Sequence, residues 1–313
     1  MVQSTNRPVG LLIEIKKWGD FMDKKVCIIT GANAGIGKAT AIQMLQAGYY
    51  VIMACRSQAR GEEALVEIKE KSKCQSVELM LLDLSLQSST RAFAEKIIEK
   101  FDKVDVLIHN AAIFDIAQKE VEYTKEGYET VWMTNHVNPV YLTDLLLNTI
   151  KASNDGRIIT VASKGLLAMP LLKVDLEDPE FRNRKFTMTK AYYQSKRAQV
   201  MFTYALAKKL QNTNITVNCI RVPAVKIDIT RHPNISGFTK WIYKQKSKQS
   251  ITPEQMARIY VYLATSDEVK KVTGKFFDEK NQMVPSNQYT KKESNIKKVM
   301  VLTQQYIEDP LHF

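Results

Sequence analysis

Short β-rich apolar runs recur along the chain at Val26–Ile29, Tyr49–Met53, Val77–Leu82, Val104–Ile108, Arg157–Val161 and Ile215–Ile220. Between them, apolar residues fall at helical spacing. Ala41, Ile42, Met44 and Leu45 follow the first run, Ala64, Leu65 and Ile68 the second, and Phe93, Ile97 and Ile98 the third. Two longer stretches, Val131–Ile150 and Ala191–Leu210, also read as helices. Strands alternating with helices predict an α/β fold, a doubly wound parallel sheet covered on both faces, with right-handed crossovers. No repeat, low-complexity tract or linker divides the chain, so residues 1–313 are read as a single domain. Three regions look added to that core. Residues 170–189 and 230–250 are expected to be lid inserts, and 282–313 a C-terminal extension with a helical stretch at Ile296–Ile307.

Composition narrows the function classes. Of 313 residues 45% are apolar and 25% charged, which excludes wholesale disorder. The formal charge of +12 admits anionic partners. No basic run is interleaved with aromatics, so nucleic acid is not an expected partner. Cys27, Cys55, Cys74 and Cys219 form no C-x-x-C pair and no metal-ligand spacing, so they read as reduced and structural, with no metal site. There is neither a signal-peptide pattern nor an 18-residue apolar run, so no transmembrane segment is expected and a cytoplasmic location is the default. The mildly amphipathic stretch Val9–Met22 is expected to pack on the core, with peripheral membrane contact as its alternative.

After the first strand comes TGANAGIG, residues 30–37. A strand, a glycine-rich turn and a helix N-terminus make a phosphate cradle, because backbone N–H groups and the helix dipole both favour an anion. Gly31, Asn33, Gly35, Ile36 and Gly37 are therefore candidate dinucleotide-binding residues. The second strand ends in Ala54–Cys55–Arg56, where an NAD site would place a carboxylate for the ribose 2′-hydroxyl. Arg56 suits a 2′-phosphate instead, so the expected cofactor is NADP(H) in preference to NAD(H).

YYQSK, residues 192–196, places a Tyr and a Lys four apart on one helix face. A cation beside a phenol favours phenolate, so the Tyr192 pKa is expected to fall toward working pH. Such a phenol can give or take a proton. Tyr193 competes for this role, but Arg197 rather than Lys lies four residues after it.

The ordered set TGANAGIG, LLDLS, HNAA, TNH, a Ser after a strand and YYQSK resembles the short-chain dehydrogenase/reductase family. AYYQSKRAQVMFTYALAKKL resembles its retinol-dehydrogenase-like branch, and VIMACR and HNAAIF its protochlorophyllide-reductase side. The resemblance spans about residues 23–280 and implies a Rossmann-type fold with one active site at the carboxyl ends of the strands. It implies Tyr192 as general acid/base and Lys196 as the nicotinamide-ribose ligand that lowers the phenol pKa. It further implies Ser163 as hydrogen-bond donor to the substrate oxygen and Asn135 as anchor of a relay water. Asp83 and Leu84 would contact adenine, and Asn110 and Ala111 would lie beside the cofactor. A homo-oligomer through the long helices is also implied.

Departures from the family pattern carry their own expectations. His109–Asn110–Ala111–Ala112 replaces the usual N-N-A-G, and His109 reads as a structural hydrogen-bonder. Pro139 should bend the helix that follows Asn135. Val222–Pro223 and Ile227 stand where the family has Pro–Gly and a Thr that holds the carboxamide, so nicotinamide anchoring would rely on backbone. Ile227, Ile235, Phe238, Trp241, Ile242 and Tyr243 either line a greasy substrate site or pack the lid on the core. The function expected is an NADP(H)-dependent oxidoreductase acting on a small-molecule carbonyl or alcohol, retinoid-, steroid- or isoprenoid-like. The alternative is an NADP(H)-binding regulator with weak or no catalysis.

Overall fold

Seven parallel strands hydrogen-bond in the order β3-β2-β1-β4-β5-β6-β7. They are β1 (Val26–Thr30), β2 (Tyr50–Cys55), β3 (Val77–Leu81), β4 (Val106–His109), β5 (Gly156–Ser163), β6 (Ile215–Val222) and β7 (Phe276–Phe277). The longer helices in chain order are α1 (Gly35–Gln46), α2 (Gln58–Ser72), α3 (Gln87–Lys100), α4 (Asn138–Lys151), α5 (Met188–Lys209), α6 (Pro253–Thr265) and α7 (Glu293–Gln304). This computed structural model describes residues 24–226 and 250–307. The order reverses direction between β1 and β4, which opens a crevice at the carboxyl ends of those strands, where dinucleotides bind in such sheets.

Every residue of β1 and β2 is buried, as strands covered on both faces must be. Ile28, Ile52, Leu107, Ile158 and Val217 belong to one core, shared with α3, α4, α5 and α7. Cys27, Ile29, Val51, Val106 and Ile159 belong to the other, with residues of α1, α2 and α6. The pairing register Ile28↔Leu107 and Leu107↔Ile158 keeps each apolar set on its own face.

The six expected strands are present, with no end shifted by more than two residues. The pair Phe276–Phe277 and helix α6 were not foreseen. Yet α6 carries a readable start, a capping box between Thr252 and Gln255 with Pro253 in its first turn. The expected single helix over Val131–Ile150 is divided. A π turn, Met133–Val137, runs directly into α4, and Pro139 sits in the first turn of α4. The π segment thus begins six residues before Pro139 and ends two before it.

The two regions flanking α5 are packed. In the 170–189 insert, Phe181, Phe186 and Met188 form a small core with Val131 and Ala191. From the extension, the Thr303 hydroxyl meets His136 Nε2 at 2.8 Å, and the Tyr306 hydroxyl donates to Glu180 Oε1 at 3.2 Å. Consequently residues 194–203 of α5 are buried without interruption within one chain. An α-helix lying on a sheet with one free face would show exposed positions at every turn. On that side α5 packs against the chain's own C-terminal segment, where Val299, Met300 and Leu302 join its core. The stretch Val9–Met22, most of the 230–250 insert and Ile227 lie outside the described residues. Among the described residues, no helix is long and apolar enough to cross a membrane.

Candidate active site

The glycine loop is shaped by close backbone approach. Gly31 and Gly35 have φ of +67° and +51°. A Cβ on Gly37 would stand 2.4 Å from the Gly31 carbonyl oxygen and 2.5 Å from Asn110 Nδ2, so no larger residue fits there. Asn110 Nδ2 donates to the Thr30 carbonyl at 2.9 Å, and the Ala111 N–H donates to Thr30 Oγ1 at 3.0 Å. Asn110 and Ala111 therefore act first on the loop, holding its path. Ala34, at the N-cap of α1, offers no side-chain acceptor, so the first N–H groups of that helix are left for a ligand. Such donors at a helix start are what a pyrophosphate needs. The loop's outer side, including Asn33, Gly35 and Ile36, borders a cleft of about 840 Å³ that also touches Arg60 and Lys226. None of Ser163, Tyr192 and Lys196 lines that cleft.

Arg56 follows β2 directly and is exposed, ahead of the Ser57 cap of α2. Asp83 Oδ1 accepts from both the N–H and the hydroxyl of Ser85, which fixes the turn after β3. The Leu84 side chain lies in the core and its carbonyl accepts from Asn138 Nδ2. Any contact of Leu84 with a nucleotide would fall to its remaining backbone.

At the carboxyl end of β5, the Ser163 hydroxyl accepts from the Gly165 N–H at 3.2 Å and stands near enough to the Tyr192 phenol to lower its pKa. The Phe114 ring packs on Tyr192 with centroids 4.3 Å apart, and Tyr193 lies edge-on to Tyr192 at 5.1 Å. Lys196 is 2% exposed, and its ammonium sits 5.7 Å from the centre of the Tyr192 ring. Ser163, Tyr192 and Lys196 are therefore brought together as their motifs suggest. Tyr193 turns toward Gly165, where a Cβ would clash with its hydroxyl, and so leaves the central position to Tyr192.

One expectation is corrected. The Tyr192 pKa does not fall: burial pushes it up to about 12, the neighbouring Tyr193 adds to the rise, and the nearby Ser163 hydroxyl lowers it only in part. The cation is spent elsewhere, since Lys196 Nζ donates to the Val161 carbonyl at 2.8 Å. Burial in turn pushes the Lys196 pKa down to about 8. As it stands the phenol is a protonated donor, the state needed to deliver a proton to a developing alkoxide.

Asn135 is held on all sides. Its Oδ1 accepts from the Ile113 N–H at 2.7 Å, and its Nδ2 donates to the Ile113 carbonyl and to Ser195 Oγ. Its carbonyl accepts from Gln199 Nε2 at 2.7 Å. Gln199 had no motif to announce it; only its place one turn after Lys196 could have drawn notice. His109 is, as expected, a structural hydrogen-bonder, with Nε2 2.7 Å from Thr143 Oγ1. After β6, Val225 bridges to Ile251 and the Lys226 N–H donates to the Ile251 carbonyl.

A doubly wound sheet, an open phosphate cradle at its switch point and a Ser–Tyr–Lys cluster at the strand ends define a dinucleotide-dependent oxidoreductase. A short chain dehydrogenase profile matches residues 25–171, and an Enoyl-(Acyl carrier protein) reductase profile matches 182–278. Human retinol dehydrogenase 13 is 35% identical over 271 residues, 84% of this chain and 78% of that one. Human retinol dehydrogenase 14 is 34% identical over 293 residues, 88% and 85% of the two chains. The chain belongs to the short-chain dehydrogenase/reductase family, in the branch that contains these relatives. Among solved structures, a protein from Mycobacterium paratuberculosis superposes with TM-score 0.70 at 27% identity, covering 93% of this chain and 96% of that one. A short chain dehydrogenase from Shigella flexneri complexed with NADP has the same fold, with TM-score 0.63 at 22% identity over 83% and 99% of the chains.

Proposed function

We propose that this enzyme interconverts a lipophilic alcohol and its aldehyde or ketone with NADP(H). The observation that carries the proposal is the meeting of the Ser163 hydroxyl, the Tyr192 phenol and the buried Lys196 ammonium at the carboxyl end of β5. When bound, the nicotinamide supplies or takes the hydride. The chain's own residues supply the rest. Ser163 and Tyr192 donate hydrogen bonds to the substrate oxygen, where negative charge grows during reduction, and Tyr192 gives the proton. Lys196, with two ammonium protons beyond its bond to Val161, is placed to hold the ribose.

Arg56 supports the 2′-phosphate, and hence NADP(H), because no carboxylate stands at the end of β2 to receive a ribose hydroxyl. Phe114, Ile116, Leu167 and Leu171 support an apolar substrate. All four are exposed, and Phe114 and the 164–168 turn both touch the Tyr192–Tyr193 pair. Retinol dehydrogenases being relatives points to a retinoid-like or other isoprenoid alcohol within that class. The proposed location is cytoplasmic, with peripheral contact to the lipid surfaces where such substrates partition. A panel of retinoid, steroid, isoprenoid and short polar carbonyls, assayed with NADPH and NADH, tests the proposal. Turnover of long apolar carbonyls with NADPH is expected; turnover of short charged carbonyls alone would overturn it.

A further inference from the structure

The layer between the sheet and α5 holds a polar group for which the proposed reaction has so far no use. His109 ends β4 and is 3% exposed. Its register partner in β5 is Thr160, and Thr160 Oγ1 meets Thr203 Oγ1 of α5 at 2.5 Å. Register partners in neighbouring strands share a face about 5 Å apart, so the His109 ring lies on the side that α5 covers. Lys196 reaches down from α5 to the carbonyl of Val161, the residue next to Thr160. Imidazole and ammonium thus occupy one buried layer, and the Lys196 charge is felt at His109.

The tautomer of His109 follows from its partner. Thr143 Oγ1 donates its proton to the Pro139 carbonyl at 2.8 Å, so it accepts from His109 Nε2. Nε2 therefore carries the hydrogen and Nδ1 is a bare acceptor. That Nδ1 is fully buried and finds no hydrogen-bond partner among the described residues. A buried acceptor without a partner is costly, and so is a buried ammonium with only one of its three donors engaged. Each has what the other lacks.

We propose that His109 is a positioning residue for Lys196: its Nδ1 accepts from the ammonium through one bridging water and holds it charged and oriented toward the ribose. This rests on the oxidoreductase reading above. His109 stands where the family pattern has Asn, so the device belongs to this chain's own sequence. Of the groups facing the layer, Cys219 of β6 has its pKa pushed up to about 11 and Tyr192 to about 12, while burial pushes His109 down to about 3. Thr143 of α4, Thr160 of β5 and Thr203 of α5 do not titrate in water's range. Between pH 6 and 10, Lys196 is the group in this layer that changes charge.

The experiment measures NADPH affinity of the full chain by fluorescence from pH 6 to 10, for wild type, His109→Phe and His109→Gln. Removing the acceptor disfavours the ammonium, so His109→Phe should move the alkaline midpoint down by about one pH unit. His109→Gln, which keeps both a carbonyl acceptor and an N–H donor, should restore it. Should the Phe variant fail to fold, Thr143→Val releases the tautomer, and a shift in the same direction is expected. Unmoved midpoints in the folded variants, or equal shifts for Phe and Gln, would overturn the inference. Absence of NADPH binding by the wild type would instead overturn the oxidoreductase reading.

Discussion

The Lys196 ammonium donates to the Val161 carbonyl at 2.8 Å, one turn of helix from the phenol of Tyr192. That bond ties the catalytic helix α5 to strand β5, which also presents Ser163. Sheet and helix together thus fix all three side chains, which is the rigidity a proton donor requires.

Lys196 is the costliest of the three to bury. Its folded pKa of about 8 lies below the ordinary 10.5, so between those values the unfolded chain binds more protons than the folded one. Stability from this group therefore rises with pH across that window and is at its minimum below pH 8. Lys196→Met is expected to abolish turnover yet raise thermal stability at pH 7, by up to roughly 3 kcal/mol, with the gain shrinking toward pH 10. Melting curves at pH 7 and 10 check this.

Asp144 of α4 makes the opposite case. Burial pushes its pKa up to about 7, with Lys209 pulling it partly back, and neither carboxylate oxygen has a hydrogen-bond partner among the described residues. A raised acid pKa means that the folded state holds the extra proton, so stability falls as pH climbs from about 4 to about 7. Asp144→Asn should therefore raise the melting temperature at pH 8 and change it little at pH 4. A uniform effect at both pH values would contradict the burial argument.

Gly37→Ala tests the cradle. The added Cβ meets backbone oxygen at 2.4 Å, which no rotamer change relieves. NADPH affinity should drop by at least tenfold while the far-ultraviolet circular dichroism is retained.

Arg56→Glu tests cofactor choice. Losing a charge-assisted contact and gaining a repulsive one should raise the KM for NADPH by about 10–100-fold, the equivalent of 1.4–3 kcal/mol. The KM for NADH should hold or improve, and kinetics with both cofactors reports the change.

Much of this was legible beforehand. Runs such as Val26–Ile29 and the TGANAGIG loop announce themselves because strand burial and phosphate binding restrict residue choice locally. The grouping of Ser163, Tyr192 and Lys196 was legible only through their ordered motifs, since 28 residues separate Ser163 from Tyr192. The state of that group was not legible. Spacing shows that a cation can lie near a phenol, but not that the Val161 carbonyl holds it, nor how far burial outweighs it. Helix α6 was overlooked although Thr252–Pro253 and Gln255 mark its start. The π turn at Met133–Val137 has no local signature, and there Trp132 and His136 pack against Tyr306 and Thr303 of the C-terminal segment. That packing is a long-range contact, 167 residues apart in sequence.

Single-turnover reduction of an apolar aldehyde by Tyr192→Phe, alongside NADPH titration of the same variant, probes the proton donor alone. The phenyl ring keeps its packing on Phe114 and loses only the hydroxyl. A fall in rate of about 10²–10⁴-fold with unchanged NADPH affinity is the expected result. A rate within a fewfold of wild type would contradict the assignment of Tyr192 and, with it, the chemistry proposed for this site.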